Sequence, residues 1–380
     1  MHICFLTHEY PREGYPHGGV GTFIKTLGHA LIKNGHNVSI VGMNMNSADE
    51  YEIDEGVAIY RLGNNKLKGL NWLIHAKKIN RKLDQIHKKD KINIIEASEF
   101  GFAFIKKNRD IKYVIRLHGG HHFFAESEKR KINFWKGFQE KRSFKNADKI
   151  IGVSNYVMEH TSKYIDFSDK KGKVIYNPAN LDSFYPSDIL KKVSGRIFFA
   201  GTVCEKKGIR QLIQAFPLIK KEVSNAHLLI AGRDWKFPKT GKSYIEFLND
   251  FIDSSVKNCI QFLGPIENNK MPKFIEESEV CVYPSHMEAM PLAWIEVLSM
   301  GKALVGSKLG PGSEVVKDDK TGLLCDPFDP EDIAEKVVYL FKNPLKAQEL
   351  GSNARKDVYE RFSIEHLYKE NIKFYNSLLA

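Results

Sequence analysis

The sequence predicts an α/β protein made of two parallel-sheet domains. Three observations carry this expectation. The chain has 380 residues, and a single hydrophobic core stops growing at about 250–300 residues, so two domains are expected. Short β-branched runs alternate with amphipathic stretches along the whole length. That rhythm means right-handed βαβ units and parallel sheets. It also stops and restarts once, across the polar stretch Tyr185–Gly195 (YPSDILKKVSG), which contains Pro and Gly.

In the first series, His2–Leu6 reads as a buried strand followed by a glycine-rich loop. An amphipathic helix runs from about Thr22 to Lys33, and Gly35 ends it. Strands follow at Val38–Val41, Ile92–Ile95, Tyr113–Leu117, Lys149–Val153 and Lys173–Tyr176. The second series has strands at Arg196–Ala200, His227–Ala231, Ile260–Leu263, Val280–Tyr283 and Ala303–Gly306. Two Rossmann-like domains are therefore expected, 1–185 and 195–362, followed by a stretch of helical pattern at 363–380. Such sheets bind ligands at the carboxyl ends of their strands, and two facing domains would put the site in a central cleft.

Composition removes several function classes. At 42% hydrophobic and 27% charged, the chain fits a globular protein and not a disordered one. No apolar run approaches the ~20 residues of a spanning helix. The N-terminus lacks a basic region followed by an apolar one, so no signal peptide is expected. The five cysteines (Cys4, Cys204, Cys259, Cys281, Cys325) form no C-x-x-C. This excludes a disulfide scaffold or a zinc ribbon and points to a reducing cytoplasm.

The net charge of +11 is uneven. Residues 1–185 hold 30 Lys/Arg against 20 Asp/Glu, whereas 186–380 hold 27 against 26. Three stretches carry the surplus: Lys77–Lys91, Lys106–Lys112 and Lys129–Lys149. The third is interleaved with Phe134, Trp135, Phe138 and Phe144. Two readings stand. The face could lie on an anionic membrane or hold an acidic acceptor, or it could be a solvated face whose aromatics point into the core. No helix-turn-helix, RNP-like or zinc-finger spacing accompanies the charge, so nucleic acid is not expected as a partner.

Several motifs fail. After the first strand, Gly19, Gly21 and Ile24 break the dinucleotide pattern G-x-G-x-x-G, and the second strand is followed by Gly42-Met43-Asn44 instead of a ribose-gripping acid. Gly241-Lys242-Ser243 lacks the upstream glycine of a P-loop. His118, His121 and His122 are adjacent loop residues whose side chains should diverge, so no metal site is expected there.

One segment survives, Tyr283–Gly306 (YPSHMEAMPLAWIEVLSMGKALVG). A strand ends at Tyr283, and a helix beginning at Pro291 runs to about Met300, with Gly301 as its stop. Free amides at Met290–Ala293 and the helix dipole would make an anion site suited to a diphosphate. Glu296, about one and a half turns in, could accept two hydrogen bonds from a vicinal diol such as a ribose. Glu288 at the mouth could do the same for sugar hydroxyls. An acid near a helix start is also an ordinary cap, and spacing alone does not choose between these.

Glu288 and Glu296, in the context E-A-M-P-L…E…G, resemble the E-x7-E signature of retaining glycosyltransferases of family 4, which have the two-domain GT-B fold. Other segments resemble that family in the same order: Gly18-Gly19-Val20-Gly21-Thr22, Arg116-Leu117-His118-Gly119, Val153-Ser154, Tyr176-Asn177-Pro178, Phe199-Ala200-Gly201 through Lys207-Gly208, Ala231-Gly232, Phe262-Leu263-Gly264 and Thr321-Gly322-Leu323-Leu324. The resemblance implies that Lys207 neutralises a donor diphosphate and Glu296 holds the nucleotide ribose. It gives Glu288 and the amides of Met290, Pro291 and Leu292 to the donor sugar and phosphates. His118 would touch the sugar, Gly19 and its neighbours would approach phosphate or acceptor, and the backbone near Pro265 and Ile266 would contact the base. Where the family has an Arg after Gly201, this chain has Thr202, and Arg233 is the candidate substitute.

The implied reaction moves a sugar from a nucleotide diphosphate sugar, such as a UDP-sugar, to an acceptor hydroxyl with retention. No cofactor and no divalent metal are required. The positive first domain points to a glycan, lipid-linked or phosphorylated acceptor of a cell-envelope polysaccharide or glycolipid, handled in the cytoplasm or on the inner face of the membrane. The rivals are a nucleotide-sugar epimerase of similar architecture and a catalytically silent carbohydrate-binding protein, which Thr202 brings into consideration.

Overall fold

The computed structural model describes residues 1–12, 18–64, 70–128, 130–186 and 188–380. The chain divides into two compact units, residues 1–178 with 364–380, and residues 179–363. Among the described residues no helix is long and apolar enough to cross a membrane.

Unit 1 holds β1 (His2–Leu6), α1 (Gly19–Lys33), β2 (Asn37–Met43), β3 (Glu50–Asp54), β4 (Val57–Leu62), α2 (Asn71–Lys89), β5 (Ile94–Ala97) and β6 (Lys112–Leu117). It continues through α3 (His121–Ser127), α4 (Phe134–Asn146), β7 (Lys149–Gly152), α5 (Asn155–Ser162) and β8 (Lys171–Val174). The sheet order is β3-β4-β2-β1-β5-β6-β7-β8, and every pairing is parallel except β3 with β4. The β3–β4 hairpin is absent from the sequence reading. Its turn uses Glu55 (φ 49°) and Gly56 (φ 91°), the left-handed pair that suits a two-residue hairpin. Two expected strands shift by two residues, to Ile94–Ala97 and Lys171–Val174.

Unit 2 holds β9 (Arg196–Ala200), β10 (His227–Ala231), β11 (Ile260–Gly264), β12 (Val280–Tyr283), β13 (Leu304–Ser307) and β14 (Leu323–Cys325). Its helices are α6 (Ile209–Glu222), α7 (Tyr244–Leu248), α8 (Met271–Glu277), α9 (Leu292–Ser299), α10 (Gly312–Val315), α11 (Pro330–Lys342) and α12 (Pro344–Phe362). The sheet is wholly parallel, in the order β11-β10-β9-β12-β13-β14. This is the doubly wound order, which reverses between β9 and β12 and leaves a ligand crevice beyond their carboxyl ends.

The chain leaves unit 1 at Pro178, ahead of the polar stretch Tyr185–Gly195. The reason is that 179–195 is tied down on unit 2. Phe184 is buried, its carbonyl accepts from Ser299 Oγ at 3.3 Å, and Val193 N donates to the Glu277 carbonyl at 2.9 Å.

The last helix, α13 (Ile364–Leu379), belongs to the core of unit 1. Leu367, Asn371, Phe374 and Tyr375 form one buried stripe at helical spacing. Leu367, Phe374 and Tyr375 join a core with Ile3, Phe5, Phe23, Leu27, Leu31 and Val114. A buried polar network lies beneath the stripe. Arg116 makes a two-pronged pair with Glu96 (Nε to Oε1 2.7 Å, Nη2 to Oε2 3.1 Å) and donates to Asn371 Oδ1 at 2.5 Å. Tyr375 OH donates to Glu96 at 2.7 Å. Removing one member of such a pair strands a buried charge. Arg116→Leu should therefore cost about 3–5 kcal/mol, seen as an earlier urea transition. The double change Arg116→Leu/Glu96→Leu should recover most of the loss, and equal costs for the two variants would contradict the network.

Candidate active site

The carboxyl edge of the unit 2 sheet is cut by glycines. The Gly201 amide donates to Ala231 O at 2.9 Å, and the Gly232 amide to Gly264 O at 2.8 Å. A Cβ on Gly232 would overlap the Gly201 carbonyl oxygen. The strands therefore end against one another, and the chain turns off the sheet at each. Val203 N donates to Arg233 O at 2.9 Å, so the segment after β9 runs beside the segment after β10. This sets Thr202 and Arg233 on neighbouring strands of backbone. Arg233 is exposed, with no side-chain partner among the described residues.

A short helical turn at Glu205–Lys207 ends in Gly208, in the left-handed region (φ 70°). A Cβ there would overlap the Pro284 carbonyl oxygen. His286 N also donates to Lys206 O at 2.8 Å. The loops after β9 and β12 are thus locked together across the point where the strand order reverses. The lock brings Lys207 Nζ onto Glu288 Oε1, and Ser285 Oγ donates to the same oxygen at 2.9 Å. The two charges expected to act on a diphosphate and a sugar form one ion pair, partly open at 23% and 14% side-chain exposure.

Helix α9 begins at Leu292, with Pro291 as its cap. Pro291 (φ −84°, ψ 86°) has inverse γ-turn geometry, in which Leu292 N donates to Met290 O at 3.1 Å. The expected run of free amides is broken: Pro291 has no N–H, and that of Leu292 is used in the turn. Met290 and Ala293 keep unpaired amides among the described residues. Gly301 (φ 70°) ends the helix.

Glu296 projects from α9, partly exposed. Its carboxyl has no hydrogen-bond partner among the described residues, and desolvation pushes it up to about 8. The next helical turn is apolar and buried, and Trp294 packs beneath Gly306, where a Cβ would come within 2.8 Å of the ring. Pro265 and Ile266 follow Gly264 at the end of edge strand β11.

In unit 1, the corresponding reversal lies between β1 and β5. Of the expected glycine loop, residues 13–17 lie outside the described residues, and Gly19, Val20 and Gly21 belong to α1, which Gly18 caps. The loop is therefore shorter than expected at its C-terminal side. His118 follows β6, and its half-buried ring lies 5.4 Å from that of Phe23. Burial, with Arg116 beside it, lowers the imidazole to about 3, so the ring is neutral. Its backbone is held by Glu99, a buried carboxylate that the sequence did not flag. Glu99 accepts from His118 N at 2.7 Å and Gly119 N at 2.8 Å, and burial pushes it up to about 8. A second buried carboxylate, Glu140, accepts from His121 N at 2.8 Å, His122 N at 3.1 Å and the His122 ring. His121 is engaged by Arg130 at 2.9 Å and by Asn133 N at 2.9 Å. Among the described residues, the one grouping with metal-ligand spacing is His29, Asp54 and Glu55, and Lys25 Nζ already lies 2.8 Å from Asp54.

Residues 188–357 match the family model described as Glycosyl transferases group 1, and residues 17–183 match Glycosyltransferase Family 4. An uncharacterized glycosyltransferase of Methanocaldococcus jannaschii is 28% identical over 99% of this chain and 98% of its own length. N-acetyl-alpha-D-glucosaminyl L-malate synthase of Bacillus anthracis is 21% identical over 95% of this chain and 94% of its own. Among solved structures, sucrose-phosphate synthase from Thermosynechococcus elongatus superposes with a TM-score of 0.85 at 21% identity, covering 100% of this chain and 99% of that one. Anabaena HepE in complex with UDP-glucose gives 0.77 at 16% identity, covering 99% of this chain and 100% of that one.

The raised Glu296 carboxyl sets a proton linkage. A diol donates two hydrogen bonds to the ionised form, so a ribose bound there would lower the group's pKa and release a proton below about 8. Nucleotide affinity should rise as pH climbs toward that value. Calorimetry of UDP binding near neutral pH, in buffers of different ionisation enthalpy, should show more proton release with the wild type than with Glu296→Gln. Equal release by both would contradict the assignment.

Proposed function

Because the chain is a glycosyltransferase with the two-domain GT-B fold, we propose that it transfers a sugar from a nucleotide diphosphate sugar to an acceptor hydroxyl, with retention at the anomeric carbon. Unit 2 is the donor-binding unit in this reading and unit 1 the acceptor-binding unit. The observation that carries it is the grouping at the β9–β12 reversal: the Lys207–Glu288 pair, the spare amides of Met290 and Ala293, and the unpartnered carboxyl of Glu296. Cation, amides and helix dipole suit a diphosphate, and the carboxyl suits the ribose one turn further along α9.

The chemistry asked of the protein is positioning and charge stabilisation. The bond from the anomeric carbon to the phosphate oxygen breaks as the acceptor oxygen attacks from the same face, and the departing phosphate takes the acceptor proton. Lys207 and the α9 N-terminus offset the charge that grows on the leaving diphosphate, so the logic needs no divalent metal. Glu288 has a double task. It aims Lys207 at the diphosphate, and its second oxygen remains for a sugar hydroxyl. Arg233 is the guanidinium that stands in where the family's arginine is replaced by Thr202. Neutral His118 would exchange a hydrogen bond with a sugar hydroxyl and supply no charge. HepE's complex with UDP-glucose makes a UDP-sugar the first donor to test. The basic surplus of unit 1 supports a lipid-linked or phosphorylated acceptor of an envelope polysaccharide or glycolipid.

Lys207→Ala and Glu296→Ala should each lower turnover of the nucleotide sugar by about 100-fold or more, the usual cost of losing one group that stabilises a transition state. Circular dichroism should be unchanged, since neither side chain supports the core. Wild-type rates in both variants would refute the site. Donor binding without turnover across many acceptors would favour the silent carbohydrate-binding alternative.

A further inference from the structure

The first helical turns of α2 and α4 carry an apolar face that no described residue covers. On α2, Trp72 and Leu73 are exposed at 36% and 51%, and Leu70 just before it at 55%. On α4, Phe134 is 87% exposed, with Ile132 before it and Trp135 and Phe138 after it also open. Trp72, Phe104, Trp135 and Phe138 form one connected cluster of rings. Trp72 lies 4.5 Å from Phe104 and 5.6 Å from Trp135, and Trp135 stacks on Phe138 at 5.6 Å. Phe144 differs from these: it is buried and packs on Phe167 at 5.6 Å. Of the four aromatics interleaved with the third basic stretch, one therefore serves the core and three do not.

Cations stand on and just before the same helices. Lys131, Lys136 and Lys141 are exposed and have no ion-pair partner among the described residues, and the same holds for Lys77 and Arg81 on α2. Lys129 lies outside the described residues. Helices α2 and α4 lead into β5 and β7 of a parallel sheet, so their first turns stand at its carboxyl edge, the edge His118 follows.

We propose that this aromatic and lysine-rich face docks unit 1 on an anionic lipid bilayer. Trp and Phe settle at the boundary between headgroups and acyl chains, while the lysines meet the lipid phosphates. A glycan surface fits less well. Leu70, Leu73 and Ile132 offer nothing to hydroxyls, and the Asn133 side chain already caps α4 through Lys136 N at 3.0 Å. A second copy of the chain would set like charges against each other. The inference goes beyond the transfer reaction and does not depend on it, because adsorption needs no sugar donor.

The test is flotation of the full chain with vesicles of phosphatidylcholine alone and of phosphatidylcholine with phosphatidylglycerol, at low and high salt. Binding should favour the anionic vesicles by about tenfold and weaken with salt. Tryptophan emission should shift to the blue as Trp72 and Trp135 leave water. Phe134→Ser, at a position too exposed to matter for folding, and Lys131→Glu/Lys136→Glu should each weaken binding about fivefold or more. Absence of flotation at low salt would overturn the proposal. So would salt-sensitive flotation that ignores Phe134→Ser and leaves the emission unshifted, which is adhesion by charge alone. Retention on a polysaccharide resin with no vesicle binding would overturn it in favour of a glycan surface.

Discussion

The site geometry of unit 2 depends on a contact that only glycine permits. Gly208 sits in the left-handed region with its Cα against the Pro284 carbonyl. Any side chain there would drive apart the loops that follow β9 and β12. Those loops carry Lys207 and Glu288, and the helix that opens after the second carries Glu296. Gly232 repeats the device one strand over, where the Gly201 carbonyl oxygen occupies the place of a Cβ. Close backbone approach at the point of strand reversal is what lets a few charged groups from distant parts of the sequence converge.

Unit 1 solves a similar problem with carboxylates. The loop after β6 carries His118 to His122, and its amides would be unpaired without Glu99 and Glu140. Each carboxylate gathers two backbone N–H groups, and this fixes the loop while the ring of His118 stays neutral. Behind it, Arg116 and Glu96 tie β5 and β6 to α13, so the end of the chain supports the strand from which His118 emerges. A polar network this deep sacrifices some stability relative to an apolar core, and it fixes one arrangement of the helix.

Much of the parallel core was legible because buried strands such as HICFL and RIFFA are continuous apolar runs. The β3–β4 hairpin was not, since its outer strand faces solvent with Tyr51 and Ile53 and alternates them with acids. The unit boundary was displaced because one buried aromatic, Phe184, anchors an otherwise polar stretch. In the site, the spacing of Glu288 and Glu296 around a helix start was readable. Their states were not: the ion pair with Lys207 and the γ-turn that consumes the Leu292 amide are products of tertiary contact. Glu99 and Glu140 belong to no local pattern and become visible once the β6 loop is folded over them.

The proposed reaction puts a diphosphate at the start of α9 with its nucleoside one turn further along. A crystal structure of the chain with UDP tests it most directly. The phosphates should lie within hydrogen-bond reach of Lys207 Nζ and the Met290 or Ala293 amide, and the ribose hydroxyls on Glu296. A nucleotide bound elsewhere on the chain, or a ribose turned away from Glu296, would contradict it.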